Sequence, residues 1–271
     1  STMSDHSRLT VTQLPKHRFV FLTLPNYTMI ALASAVDALR MANRVSKREL
    51  YEWSLATVDG EPAVASNGLA MAPTVPIDNI GPANIVFVVG GIQVEKATTP
   101  NVLAVLRRLA QRHVSLGSLC TGGYALAKAG LLDKYRAVIH WENMTALREE
   151  FPRVMFSDQL FAIDRDRYTC TGGIAPLDLM LHIIKQHQGR DIAPLISEQF
   201  ILDRIRNDQD RQHIPLQARV GLFHENLIEA AALMEANIEE PLSLDEIAAL
   251  VGVSRRQIER LFKRYVGQVP T

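Results

Sequence analysis

The stretch Ile85-Val-Phe-Val-Val-Gly-Gly91 decides the fold of most of this chain. Five consecutive apolar residues predict a strand that is buried on both faces, and the paired glycines predict the turn that ends it. Such a strand belongs in the middle of a parallel sheet with helices on both sides. The segments on either side of it should therefore alternate between strands and helices.

The flanking sequence does alternate in this way between residues 17 and 188. We predict strands at 18–24, 53–58, 114–119 and 137–139, a β-rich stretch at 154–170, and helices at 30–43, 102–112, from Gly122 onward and at 175–188. This order predicts an α/β fold, a flavodoxin-like doubly wound parallel sheet. Ligands of such sheets bind at the carboxyl ends of the strands, near the point where the strand order reverses.

The composition limits the class of protein. With 271 residues, 47% of them apolar, the chain is long enough for an α/β domain and a smaller helical unit. Its 29 Lys and Arg balance 29 Asp and Glu, so any affinity for nucleic acid has to come from local clustering of charge. Two cysteines argue against a disulfide scaffold, and no apolar run is long enough for a membrane span. We expect a cytoplasmic protein without membrane contact, metal or other cofactor.

The end of the chain carries a different pattern, two short capped helices. Ser243 with Glu246 predicts the start of a helix at 244–251, and Ser254 with Gln257 predicts the start of a second helix after a turn at Gly252. One face of the second helix is apolar, and cations repeat along another face at Arg256, Arg260 and Lys263. This pattern predicts a helix-turn-helix that approaches DNA phosphates. The alternative is a solvated basic face on an ordinary helical hairpin.

The amino end of the second helix holds the predicted contacts to DNA. Arg and Gln side chains suit guanine and adenine edges, and additional cations suit phosphates. From Phe223 onward the chain holds eight acids and five Lys or Arg, and all five cations lie at or after Arg255. The predicted DNA-binding residues are Ser254, Arg255, Arg256, Gln257, Arg260, Lys263 and Arg264.

Residues 227–270 resemble the first half of an AraC-type DNA-binding domain. That family has two helix-turn-helix units joined by a long helix, and here the second unit does not follow. We therefore expect a truncated chain, with Ser1-Thr2 ahead of Met3 as a cloning remnant. Because the second unit would supply many phosphate contacts, the resemblance implies weak and strongly salt-dependent DNA binding by the chain as given.

Two of the predicted strands end in the same four residues, Cys-Thr-Gly-Gly, at 120–123 and at 170–173. The glycines permit positive φ and close backbone approach, and the helix start that follows presents free N–H groups to an anion such as a carboxylate. The alternative is a pair of tight turns in which glycine is needed only for steric reasons.

The segment Gly117-Ser-Leu-Cys-Thr-Gly-Gly123 resembles the nucleophile turn of PfpI-like proteins, relatives of class I glutamine amidotransferases. His140 follows twenty positions after Cys120, as the pocket histidine does in that superfamily. With the AraC-like end, the resemblance points to GlxA-like transcription regulators. It implies a PfpI-like sensor domain at 10–205, a linker at 206–220 and a truncated DNA-binding domain at 221–271.

The resemblance to active PfpI-like enzymes is incomplete. Those enzymes carry an acid in the loop after the first strand, and here that loop is Pro25-Asn-Tyr-Thr28. His140-Trp-Glu142 is superficially similar to the His-x-Glu of the amidotransferase triad, but it lies too close to Cys120 in the chain, and side chains at i and i+2 of a helix diverge. We expect Cys120 and His140 to line a pocket, without catalysis. The alternative is a cysteine-dependent hydrolase or glyoxalase-like lyase that uses both residues.

The predicted pocket combines backbone that can hold an anion with aromatic rings. Tyr27 and Trp141 would pack on an ammonium or guanidinium group. We therefore expect a small nitrogenous effector, an amino acid such as arginine or a betaine- or carnitine-like amine. The alternative places Trp141 in the core and Tyr27 in a loop. The predicted ligand-binding residues are Asn26, Tyr27, Thr28, Gly91, Ile92, Cys120, Thr121, Gly122, His140, Trp141, Gly172 and Gly173.

The remaining expectations concern partners. Regulators that read paired half-sites are usually dimers, so we expect a homodimer formed through the sensor domain. The stretch 192–205 is amphipathic, and Ile196, Phe200 and Ile201 would seal the sensor domain or form the dimer contact. Operator DNA and RNA polymerase complete the expected partners of an activator.

Overall fold

The structure, a computed structural model, describes residues 16–214, 230, 233–234, 242–251 and 254–265. The chain forms two units that divide between Arg211 and Gln212. This division lies inside the segment predicted as a linker, 206–220. The predicted turn at Gly252 lies outside the described residues.

A seven-stranded sheet forms the first unit, with the strand order β3-β2-β1-β4-β5-β9-β8. Neighbouring strands are parallel except for the antiparallel pair β8–β9, and β6 and β7 form a separate parallel pair. The strands are β1 (His17–Thr23), β2 (Tyr51–Thr57), β3 (Val75–Pro76), β4 (Ile85–Val89), β5 (Ser115–Leu119), β6 (Arg136–Val138), β7 (Met155–Ser157), β8 (Phe161–Asp164) and β9 (Arg167–Cys170).

Seven described helices accompany this sheet. They are α1 (Met29–Ser46), α2 (Val94–Ala97), α3 (Pro100–Gln111), α4 (Gly123–Lys128), α5 (Trp141–Glu150), α6 (Ala175–Gln188) and α7 (Ile192–Gln199). The core on one face of the sheet combines apolar residues of α1 and α6 with the stacked rings of Phe19, Phe21 and Phe87. Every residue of β4 is buried, as its run of apolar residues predicts.

The predicted fold class is confirmed. The order reverses between β1 and β4, which are central neighbours, so this is the point at which ligands of such sheets collect. The β-rich stretch 154–170 forms three strands, of which β8 and β9 join the main sheet and β7 pairs with β6. Within the described ranges, no helix is both long and apolar enough to cross a membrane.

The amphipathic stretch 192–205 is helical only in its first part. α7 ends at Gln199, and Ile201 has a φ of +55° and is 90% exposed. Ile196 is fully buried and Phe200 packs against the core, so these two residues do seal the unit. Ile201 does not, because a positive φ at this residue turns the chain out of the helix.

The described part of the second unit contains two helices, α8 (Leu244–Val251) and α9 (Arg255–Tyr265). Both predicted caps are present: the Ser243 hydroxyl accepts the N–H of Glu246, and the Ser254 hydroxyl accepts the N–H of Gln257, each at 3.1 Å. The two helices share a small core formed by Ala230, Ile247, Ala248, Ile258, Leu261 and Phe262.

A pair of histidines lies at the amino end of the sheet. The ring centroids of His17 and His187 are 4.5 Å apart, and the Tyr51 hydroxyl is 3.0 Å from His187 Nδ1. Burial, and then the charge of His187, lowers the pKa of His17 to about 4, and burial lowers the pKa of His187 as well. Both imidazoles are therefore neutral in the folded protein near pH 7.

These pKa shifts predict acid sensitivity of the first unit. Because the folded-state pKa of His17 is below its unfolded value of about 6.5, its contribution to stability is complete above pH 6.5 and is lost as the pH falls toward 4. We expect His17→Phe, which keeps a ring against Phe19 and His187, to flatten the fall in Tm over this range, measured by tryptophan fluorescence. His213→Gln changes an exposed histidine and should keep the wild-type slope. Equal slopes in all three proteins would contradict the assignment.

Candidate functional site

The turns that follow β1 and β4 are bonded to each other at the carboxyl edge of the sheet. The N–H of Thr28 donates to the Gly90 carbonyl at 3.0 Å, and the N–H of Ile92 donates to the Asn26 carbonyl at 3.2 Å. Gly91 lies at the closest point, where a Cβ would overlap the Asn26 carbonyl oxygen. The two turns therefore form one surface on either side of the strand-order reversal.

The turns after β5 and β9 complete this edge. The N–H of Gly90 donates to the Leu119 carbonyl at 3.2 Å, and the N–H of Cys120 donates to the Thr171 carbonyl at 3.4 Å. The Thr121 hydroxyl donates to the Gly91 carbonyl at 2.7 Å. Four strand ends that are far apart in sequence thus meet in one site.

Cys120 lies at the centre of this site in a strained conformation. Its φ is +57°, a left-handed value that a residue with a Cβ adopts at an energetic cost, and its side chain is half-buried. The Thr28 hydroxyl donates a hydrogen bond to Cys120 Sγ at 3.3 Å. On the other side of the sulfur, a Cβ at Gly172 would lie 3.2 Å from Sγ. The predicted sharp turn at Cys120 is present, and the sulfur is held between two other turns.

Thr28 lies in the loop after β1, in which the resemblance to PfpI-like enzymes leads us to expect an acid, and it is the hydrogen-bond partner of the sulfur. It is the N-cap residue of α1, but its hydroxyl makes no capping bond and donates to Cys120 instead. A hydroxyl donor stabilises negative charge on sulfur but has no ionisable proton to exchange near neutral pH. The sequence placed Thr28 in the pocket, but no local signal predicted a bond across 92 positions.

His140 and Trp141 open α5 beside this edge. Val138 donates its N–H to the Thr169 hydroxyl at 3.0 Å, which attaches β6 to the carboxyl-terminal part of β9. His140 Nδ1 accepts the N–H of Glu142 at 3.3 Å, so a neutral His140 carries its proton on Nε2. No hydrogen bond joins Cys120 and His140, both described residues. In this arrangement the Nδ1 lone pair of His140 is used by its own helix.

Trp141 and Tyr27 are the two aromatic residues of the predicted cage. The Trp141 ring is half-buried and lies 5.6 Å from the His140 ring, centroid to centroid. Tyr27 requires a correction, because its side chain is 1% exposed within the core. Only its neighbours and its backbone contribute to the edge of the sheet, so the predicted cage of two aromatic rings is reduced to Trp141.

The turn before α6 carries free backbone donors. In the described part of the chain, the N–H groups of Gly172, Gly173 and Ile174 donate to no protein acceptor. Gly173 has a φ of +64°, and Gly172 is in contact with Cys120. Successive free N–H groups at the start of a 14-residue helix favour an anion, because the helix dipole adds to their partial charges.

The second cysteine turn does not present a second reactive sulfur. Cys170 is fully buried, and burial is the first of the effects that raise its pKa well above the ordinary value. Its thiol therefore stays protonated and belongs to the core. Among the described residues, no group of three or more His, Cys, Asp or Glu side chains is arranged to hold a metal ion.

The cations of α9 differ in whether they are paired with carboxylates. Arg255 pairs with Asp245 at 3.4 Å and with Glu259 at 3.1 Å, so its charge is partly neutralised inside the unit. Ser254 caps the helix, Gln257 is half-buried, and the Arg264 side chain lies outside the described residues. The exposed cations of α9 that have no carboxylate partner among the described residues are Arg256, Arg260 and Lys263.

Comparison with known proteins identifies a family and several relatives of this chain. Residues 17–186 match the DJ-1/PfpI family. The HTH-type transcriptional regulator GbdR of Pseudomonas aeruginosa (strain UCBPP-PA14) is 49% identical over 251 residues, which are 93% of this chain and 68% of GbdR. The HTH-type transcriptional regulator GlxA of Rhizobium meliloti (strain 1021) is 34% identical, over 92% of this chain and 78% of GlxA. An AraC family transcriptional regulator from Pseudomonas putida, known from a crystal structure, aligns with a TM-score of 0.62 and 25% identity over 68% of this chain and 99% of its own.

Gly122 and Gly123 are adjacent, but only Gly122 lies in close backbone contact with β4, so we predict that only Gly122 has to be a glycine. A Cβ at Gly122 would overlap the Val88 carbonyl oxygen, whereas a Cβ at Gly123 would lie 3.3 Å from the Ser118 hydroxyl and 3.7 Å from Ile139. We expect Gly122→Ala to cost about 1 to 3 kcal/mol in the free energy of unfolding. Gly123→Ala should be close to neutral, because alanine suits a helix better than glycine does.

Urea denaturation followed by tryptophan fluorescence measures both variants. The chain has two tryptophans, Trp53 and Trp141, so the signal reports on the first unit alone. Equal midpoints for the two variants would contradict the close contact at Gly122.

Proposed function

Since the chain belongs to the DJ-1/PfpI family, as a member of the AraC-type regulators that join such a domain to a helix-turn-helix, we propose that it binds specific DNA sequences through α9 and senses a small nitrogenous metabolite through its first unit. The curated relatives are named as transcriptional regulators, which supports a role without catalysis. Each half of the proposal rests on its own geometry.

The observation that carries the DNA-binding half is the free basic face of α9. Arg256, Arg260 and Lys263 are exposed on one side of the helix, while Ile258 and Leu261 are buried on the other. A helix held by its apolar face and free on its basic face can lie in a major groove and contact phosphates. Arg255, which is paired with two carboxylates, contributes less to the proposed interface than its position in the sequence suggested.

The proposal that the first unit binds a metabolite rests on two groups at the same edge of the sheet, one that favours an anion and one that favours a cation. The free N–H groups of Gly172, Gly173 and Ile174 suit a carboxylate, and the half-buried ring of Trp141 suits an ammonium, guanidinium or trimethylammonium group. We therefore propose a zwitterionic effector, an amino acid such as arginine or a betaine- or carnitine-like amine. Asn26, Thr28, Gly91, Ile92, Cys120, Thr121, Gly122 and His140 complete the proposed ligand-binding residues, together with the backbone of Tyr27.

A second candidate function follows from the strained sulfur of Cys120. A cysteine with a left-handed φ at the end of a strand, bonded to a hydroxyl, is a feature that a cysteine-dependent hydrolase or glyoxalase-like lyase would use. The proton on Nε2 of His140 argues against it, since that nitrogen is then a donor. Turnover that disappears in Cys120→Ser but persists when α9 is mutated would favour the enzyme.

We propose that the protein acts as a transcriptional activator of the bacterial type. We propose a cytoplasmic homodimer that binds operator DNA and contacts RNA polymerase. Ile196 and Phe200 pack within the unit, so the dimer surface has to be sought elsewhere on the first unit.

DNA binding can be tested by its salt dependence. Duplexes selected with the whole chain from a random library serve as the probe, and fluorescence anisotropy gives Kd as a function of salt. We expect Arg260→Ala to weaken binding and to reduce the slope of log K against log salt by about 1. Arg255→Ala should change the slope less, and Arg48→Ala, an exposed cation of the first unit, should leave it unchanged. An unaltered slope for Arg260→Ala would remove α9 from the interface.

Effector binding can be tested by thermal shift against amino acids, glycine betaine, carnitine and polyamines. An effector at about 100 times its Kd should stabilise the native state by about 2.7 kcal/mol. Trp141→Ala should raise Kd by about 2- to 30-fold, which corresponds to a loss of roughly 0.5 to 2 kcal/mol of cation–π attraction. Tyr27→Phe should respond as the wild type does, because that ring is buried. A response unchanged by Trp141→Ala would exclude the proposed amine contact.

A further inference from the structure

The chain leaves the first unit through a polar segment that is firmly attached to it. We call Arg204–Arg211 the strap. Inside the strap, Arg204 pairs with Asp210 at 2.6 Å, and Asn207 donates its N–H to Asp210 at 2.7 Å. Just before and within it, Leu202 and Ile205 pack against the core of the first unit. The strap is therefore folded on the first unit, and the second unit follows it directly in the chain.

One attachment of the strap is a buried ion pair with α6. Asp178 is 4% exposed and accepts three hydrogen bonds from Arg206: from the backbone N–H at 2.8 Å, from Nε at 3.0 Å and from Nη2 at 2.8 Å. Asp178 lies in the first turn of α6, immediately after the turn of Gly172 and Gly173. The carboxylate that holds the strap is therefore separated from that turn by less than two turns of helix.

A second attachment runs through the backbone from the site itself. Cys120 donates its N–H to the Thr171 carbonyl at 3.4 Å, and Thr171 donates its N–H and its hydroxyl to the Leu160 carbonyl, both at 3.0 Å. Leu160 in turn donates its N–H to the Asp210 carbonyl at 3.2 Å. Beside this ladder Arg211 pairs with Asp158 at 3.0 Å. An unbroken series of hydrogen bonds therefore joins Cys120 to the strap.

We propose that the Thr171–Ile174 turn couples the candidate ligand site to the strap, so that a ligand held by this turn keeps the strap attached and a group that displaces the turn releases it. The regulatory meaning of this coupling rests on the proposed function, since the strap leads into the DNA-binding unit. The ladder meets the strap at Asp210 and passes through Thr171 of this turn, and the ion pair meets the strap at Arg206 and lies in the first turn of α6, which follows this turn. On this proposal, displacing the turn weakens both attachments together.

The first arm of the test displaces the turn without any effector. Iodoacetamide alkylates the half-buried Cys120, while Cys170 is fully buried, and the added group must push against Gly172. Hydrogen exchange of the whole chain, read by mass spectrometry, then reports on Leu160 and on the amides of the strap. We expect exchange there to become about ten-fold faster, while exchange in α3 stays unchanged. Cys120→Ala treated in the same way is the control and should show no change.

The second arm tests the reverse direction, because coupling between two sites is reciprocal. Asp178→Asn removes the charge that holds Arg206, and we expect the strap to exchange faster and Cys120 to alkylate several-fold faster. Asp78→Asn is the matched control, since it breaks the exposed pair with Arg108, which is not part of the strap. Unchanged exchange in α3 shows that each variant is folded.

The outcomes decide the proposal. Faster strap exchange after alkylation, together with faster alkylation in Asp178→Asn, supports the coupling. The proposal is overturned if alkylation of Cys120 leaves hydrogen exchange of the strap amides unchanged. It is also overturned if the strap of the Asp178→Asn protein exchanges faster while Cys120 is alkylated at the wild-type rate. Neither arm uses DNA or effector. If the chain binds DNA and effector but shows no coupling, this inference is refuted and the proposed function stands. If it shows the coupling but binds neither DNA nor effector, only the proposed function is refuted.

Discussion

Close backbone contact between turns is the constraint on which this structure depends. Gly91 lies against the Asn26 carbonyl and Gly122 lies against the Val88 carbonyl, and neither position has room for a Cβ. These contacts hold the ends of β1, β4 and β5 at one edge of the sheet, beside the reversal of strand order. Cys120 lies just before one of these contacts in the chain, and the turn before α6 is joined to the same edge through the hydrogen bond from Cys120 to Thr171.

The chemistry of the site suits binding better than turnover. The sulfur of Cys120 accepts a hydrogen bond from Thr28, a residue without an ionisable group near neutral pH. His140 uses Nδ1 as an acceptor for its own helix, which leaves a proton on Nε2. Among the described residues, no hydrogen bond links the strained cysteine to an acid or a histidine, while the turn before α6 offers backbone donors to the proposed anion.

The two units have different electrostatic organisation. In the first unit, buried charge is used for attachment, since Asp178 holds Arg206 at the start of the segment that leads onward. In the second unit, Arg255 is paired with carboxylates while Arg256, Arg260 and Lys263 are exposed, so positive charge is concentrated on one face of α9. A chain with no net charge can present a local phosphate-binding surface in this way.

The sequence by itself determined the α/β class, the central position of β4, the caps at Ser243 and Ser254 and the family, which the relatives confirm. These features depend on local patterns: periodicity, capping residues and glycine turns within a few positions. Only the tertiary structure decided that Tyr27 is buried, that Thr28 bonds to Cys120 across 92 positions, and that Arg206 is held by Asp178. Those features depend on contacts between residues far apart in the chain, and no local pattern carries that information.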